Sequence, residues 1–150
     1  MFFCQKVILK NISPIDVVKS FHNRNFMQFL TIMQPIKINS WKGIEDGMQA
    51  DFSFWFFGWK NMSVEHVNYD YGREHLYFED IGVELPFGID NWRHKHSIDF
   101  HHKGTIIADK VIFEHEDSIK KYLIYIIMYI SISLRKLTYR IWFYRINRKN

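Results

Sequence analysis

Cysteine is nearly missing from this chain: Cys4 is the only one in 150 residues. No intramolecular disulfide can form, and a reducing compartment is the simple expectation. No secretory leader is expected either, because the start, Met1 to Lys10, has no basic opening and only a short apolar run. The strongest candidate span, Tyr122 to Leu134, lies between Lys120-Lys121 and Arg135-Lys136. It falls well short of the roughly 20 residues that a bilayer crossing takes. There is no glycine-rich phosphate loop and no Gly-x-Ser-x-Gly elbow, so the nucleotide-loop and serine-hydrolase classes drop out. Neither a repeat nor a linker interrupts the chain. One soluble, cytoplasmic domain covering residues 1–150 is expected, with Cys4 as an inert packed thiol.

Aromatic side chains, by contrast, are abundant at 18%. They must pack a core or line a pocket. The formal charge of +4 is mild. Its basic excess sits at the C-terminal end, in Arg135, Lys136, Arg140, Arg145, Arg148 and Lys149. The rest is near neutral, which speaks against a nucleic-acid surface.

Phe3 to Lys10 reads as a strand. Ser13-Pro14 then supplies a cap and a first helical position. Ile15, Val18, Phe21 and then Phe26, Phe29, Leu30 recur at helical spacing on either side of His22-Asn23-Arg24-Asn25, predicting two short helices that Pro35 ends. From Ile36 to Glu114 turn residues punctuate the chain about every ten positions, among them Asp46-Gly47, Asp70-Tyr71-Gly72, Pro86-Phe87-Gly88 and Lys103-Gly104. That spacing predicts about six consecutive antiparallel strands. A long helix over 118–147 closes the chain, with Ile119, Leu123, Ile126, Ile130, Leu134, Leu137, Ile141 and Tyr144 as its stripe. The class is α+β, a sheet able to curl around a helix.

The segment from Pro86 to Asp109 is the most informative. Trp92, His94, His96, Ile98 and Phe100 stand at two-residue spacing and share one strand face. Arg93, Lys95, Ser97, Asp99 and His101 take the other, which suits water. Thr105, Ile107, Asp109, Val111 and Phe113 alternate in the same way on the next strand.

Pro86-Phe87, Trp92-x-His94-x-His96, Gly104-Thr105-x-x-x-Asp109 and the terminal Leu137-Thr138-Tyr139-Arg140, in this order of elements, resemble the SRPBCC superfamily. These are the START-type, birch-pollen-allergen-like helix-grip proteins, including polyketide cyclase and dehydrase relatives. The resemblance implies a helix-grip fold: a curved antiparallel sheet of about seven strands wrapped around the long C-terminal helix, with two short helices after the first strand. It also implies an apolar ligand, a lipid, polyketide, steroid or quinone, in a cavity between sheet and helix. No single catalytic motif carries over.

Phe54, Phe56, Trp92 and Phe100, with Leu123, Ile126, Ile130 and Leu134 of the helix, are the expected cavity walls. His94, His96 and Asp109 supply the polar contacts. The same three are the candidates for acid–base catalysis if the protein is a cyclase or dehydratase. Two histidines could also start a metal site, with Glu79, His75 or Asp109 as third ligand. Without a Glu-x-x-His or His-x-x-x-His element that reading is weak, and no metal or cofactor is expected. Hydrogen-bonded histidines, paired with Asp109 or Glu79, are the simpler state. On the helix, Tyr125, Met128, Ile132, Tyr139, Phe143 and Ile146, with Arg135 and Trp142, form a second apolar face. A homodimer contact or a peripheral membrane contact, as in a lipid-transfer protein, would cover it.

Overall fold

The computed structural model describes residues 1–147, with side chains as far as Arg145. Strand β1 (Phe2–Lys10) leads into helices α1 (Pro14–Phe21) and α2 (Arg24–Thr31). Six strands follow: β2 (Ile36–Trp41), β3 (Gln49–Trp55), β4 (Trp59–Tyr71), β5 (Leu76–Glu84), β6 (Asn91–His101) and β7 (Gly104–Glu114). Helix α3 (Ser118–Asn147) closes the chain. The strands form one sheet in the order β1-β7-β6-β5-β4-β3-β2, every pair antiparallel. Consecutive hairpins build six strands, and β1 returns to pair with the last. This is the helix-grip arrangement.

Local chemistry places the ends of the elements. Asn23 caps α2 by accepting from the Asn25 amide at 2.8 Å. Asp117 caps α3 by accepting from Ile119 and Lys120 at 2.9 and 3.1 Å. The β6–β7 turn depends on Gly104, whose φ is +140°. A side chain there would run into the backbone of Leu9 and Asn11, so only glycine lets this turn lie against β1. Thr105 then anchors the entry to α1, its hydroxyl donating to the Ile12 carbonyl at 2.7 Å.

Inside, two apolar halves form. Val7, Leu9, Phe21, Phe26, Leu76, Phe78, Ile98, Ile107, Tyr139 and Phe143 fill the half beneath α1 and α2. Ala50, Met62, Val64, Ile89, Trp92, Val111, Phe113, Ile124 and Ile132 fill the other.

Helix α3 faces the sheet with Ile124, Met128, Ile132, Tyr139 and Phe143. This corrects the expected orientation. Leu123, Ile126 and Ile130 are 47%, 54% and 53% exposed, and Leu134 is half-buried. The side read as the rear, with Ile132, Tyr139 and Phe143, is the buried one. The physical reason is the lack of contrast: both faces carry apolar residues at steps of three and four, so packing and not periodicity selects between them. Ile146, Arg148 and Lys149 lie outside the residues whose side chains are described. Cys4 is exposed on the outer face of the edge strand β1, not packed.

Candidate functional site

A belt of polar side chains separates the two apolar halves. Along five neighbouring strands the inward positions change from apolar to polar. On β1 the series is Phe3, Gln5, Val7; on β7 it is Val111, Asp109, Ile107; on β6 it is Trp92, His94, His96, Ile98. Leu76 and Phe78 precede Asp80 on β5, and Met62 and Val64 precede His66 on β4. Strand register aligns the polar members: Gln5 opposite Asp109, Asp109 opposite His96, His94 opposite Asp80, and Asp80 opposite His66.

Two carboxylates bracket two imidazoles. The rings of His94 and His96 have centroids 3.9 Å apart. On one side, Asp109 Oδ1 is 3.0 Å from His96 Nδ1 and 3.3 Å from His94 Nε2. On the other, Asp80 Oδ2 is 3.2 Å from His96 Nε2 and 3.8 Å from His94 Nδ1. Outer groups hold both acids in place. Gln5 Nε2 donates to Asp109 Oδ2 at 2.8 Å, and the Tyr139 hydroxyl reaches the same oxygen at 3.4 Å. The ring of His66 meets Asp80 Oδ1 through Nδ1 at 2.8 Å.

His94, His96 and Asp109 are buried, whereas the Asp80 side chain is 16% exposed. Despite this company, His94 Nε2, His96 Nδ1 and Asp109 Oδ1 complete no hydrogen bond, and neither does His66 Nε2. Buried polar atoms are normally paired.

Burial and the proximity of His96 push His94 down to about 4. Burial would also lower His96, but the Asp80 charge and the Asp109 contact outweigh it and raise its pKa. Burial works against the ionised acids. Even so, His94 and His96 hold Asp109 well below its usual range, and the His96 charge with the His66 bond does the same for Asp80. The two carboxylates thus stay ionised while the pair of imidazoles is driven apart, His94 toward the neutral ring and His96 toward the imidazolium, with the Arg135 charge nearby. Burial, followed by the Asp109 charge, keeps the Tyr139 phenol protonated.

Of the expected site residues, His94, His96 and Asp109 come together. Glu79 does not join them. It lies on the opposite sheet face, bonded to Tyr77, with Lys95 at 3.1 Å and Arg93 at 3.3 Å. His75 is likewise elsewhere, between Asp99 and Asp70. Asp80, His66 and Gln5 are the members that sequence reasoning missed. Alternation after Leu76-x-Phe78 and after Met62-x-Val64 was the signal that could have found the first two.

Of the expected cavity walls, Trp92 meets the histidines, its ring edge-on to His94 at a centroid distance of 6.4 Å. Phe78 stacks on His96 with a centroid distance of 4.4 Å, and Phe21 meets that ring edge-on. The open space lies at the end of the grip. A cleft of about 520 Å³ is lined by Phe56, Phe87, Gly88, Lys120, Leu123, Ile124 and Ile127. It sits between the β3–β4 turn, the β5–β6 loop and the start of α3. Phe54 and Phe56 pack on Phe87 at 5.6 and 5.5 Å. Trp92 belongs to the same apolar half, whereas Phe100 is 65% exposed at the far end of β6. A smaller concavity of about 260 Å³, near Leu9, Ile12 and Arg140, does not reach the belt either.

No protein-family model matches the sequence, and no curated protein matches it. Solved structures do match along nearly the whole chain. A Staphylococcus aureus protein of unknown function aligns with a TM-score of 0.64 and 9% identity, over 100% of this chain and 98% of that one. Ginseng major latex-like protein 151 from Panax ginseng gives 0.62 and 10%, over 95% and 97%. The Aha1 dimer from Colwellia psychrerythraea gives 0.55 and 12%, over 90% and 93%. At these identities the likeness is one of fold, and it is the helix-grip fold.

Proposed function

We propose that the protein binds a small apolar ligand in the cleft at the mouth of the grip. The observation that carries this reading is the cleft itself. About 520 Å³ of space is walled by Phe56, Phe87, Leu123, Ile124 and Ile127, within the usual size range of small-molecule sites. Lys120 is the charged group of the lining and suits an acidic head on an otherwise apolar body. Lipid, polyketide, steroid and quinone acids all fit that description. The site proposed from sequence thus moves along the fold. Phe56 and Leu123 remain in it, Phe54 and Trp92 back it, and His94, His96 and Asp109 lie deeper.

Native mass spectrometry of the protein as purified tests this reading. An apolar adduct that a medium-chain fatty acid displaces is the expected result. A bare protein with no saturable uptake of the acid overturns it. The acid–base alternative has less support, because the cleft lining does not include the two imidazoles.

One observation favours a second reading, contact with a membrane surface. The β3–β4 tip exposes Trp55, Phe57 and Trp59, with Phe57 87% exposed. Lys37 lies 3.9 Å over the Trp59 ring. Aromatic side chains flanked by lysines suit a headgroup interface, and this tip adjoins the cleft where a lipid would enter. Flotation with anionic liposomes should be lost in Trp55→Ser/Phe57→Ser. Flotation unchanged by those substitutions, or none in the wild type, removes this reading.

A further inference from the structure

We propose that Asp80 Oδ2, His94 Nδ1 and His96 Nε2 form a binding site for a divalent first-row transition cation. In this site Asp109 serves as the common acceptor for the outer nitrogens of both imidazoles. The three donor atoms all lie within 4.8 Å of one another. Ligands at about 2.1 Å from a zinc-sized ion stand roughly 3.4 Å apart in a tetrahedron. The His96–Asp80 spacing of 3.2 Å already matches, and the His94–Asp80 spacing of 3.8 Å closes with a small ring rotation.

The independent observation is the set of unpaired atoms behind the histidines. Metal-bound imidazole donates its other N–H to a carboxylate or carbonyl, which fixes tautomer and ring orientation. Here both outer nitrogens, His94 Nε2 and His96 Nδ1, face the single oxygen Asp109 Oδ1 at 3.3 and 3.0 Å, and all three atoms lack a completed bond. With neutral rings ligating on the Asp80 side, each ring carries its proton on the Asp109 side, and that gap closes. Gln5 and Tyr139 hold the other oxygen of Asp109, and His66 holds the other oxygen of Asp80. Two carboxylates then balance the dication. Nitrogen and oxygen donors without thiolate select ions of the zinc, cobalt, nickel, manganese and iron(II) group. The partly exposed Asp80 is the way in.

The test uses the full chain stripped with EDTA and titrated with Co²⁺ and with Zn²⁺. Saturation at one ion per chain is expected, with cobalt d–d absorption and with shifts of the His94 and His96 ring signals by NMR. His94→Gln/His96→Gln should abolish the cobalt spectrum. Asp109→Asn should weaken binding by roughly 10–100-fold. Replacing the exposed turn pair, His101→Gln/His102→Gln, should leave it unchanged. Absence of saturable binding in the wild type overturns the proposal. So does binding that survives in His94→Gln/His96→Gln or disappears in the turn variant. Where the double variant does not fold, the wild-type NMR titration decides: ring signals of His94 and His96 that stay fixed overturn the site.

Discussion

Asp109 closes one side of the charged belt. It faces both imidazoles, accepts from Gln5 and Tyr139, and is 1% exposed. Removing one partner of a buried ion pair leaves the other charge uncompensated, at a cost of about 3–5 kcal/mol. Asp109→Ala should lose stability of that order in urea denaturation, and a loss below about 1 kcal/mol would contradict the belt. The pH profile of the metal-free protein follows from the same groups. Folded His94 titrates at about 4 against 6.5 for a free imidazole, so the unfolded chain binds more protons in that window. Stability therefore falls as pH drops through it. The depressed Asp80 and Asp109 add a further loss below the usual carboxylate range. His96 has the opposite sign: its raised pKa gives a contribution complete below 6.5 and lost as pH rises through the folded value. Urea midpoints in EDTA should peak near pH 6.5 and decline on both sides. A midpoint still climbing well above neutrality would contradict these assignments.

At the level of elements, helix α3 decides how the grip closes. Ile132 is buried against the sheet, whereas Ile126 faces outward. Ile132→Ala should cost about 2–5 kcal/mol, and Ile126→Ala about 0.5 kcal/mol or less. Equal costs in thermal or urea unfolding would mean that the helix is rotated. The sequence carried the bounds of this helix through Asp117 and the following period, because caps and breakers act locally. The order of all ten elements was legible for the same reason. Its inward face was not, since Ile and Tyr recur on both sides. Strand β6 was legible because charged and apolar residues alternate along it. On β5 the sequence reading pairs Glu79 with the histidines, whereas the alternation set by Leu76 and Phe78 turns the adjacent Asp80 inward. His66 joins across the β4–β5 hairpin, and β4 departs from regular pairing just beyond it, between Val67 and Asp70.

The whole molecule is a sheet and a helix enclosing two apolar halves with a charged belt between them. The belt is packed, and the accessible apolar space lies at the β3–β4 end, where Phe56 and Phe87 meet Leu123 and Ile127. Among the described residues no helix is long and apolar enough to cross a membrane. In the proposed reading the ligand enters the cleft through that mouth. Photolabelling with a medium-chain fatty acid that carries a diazirine, followed by peptide mapping, tests this placement most directly. Labels confined to Phe56–Phe57, Phe87–Gly88 and Lys120–Ile127, and competed by unlabelled acid, are the predicted result. Labels on the outer stripe from Ile130 to Leu137, or spread over the chain without competition, would contradict it.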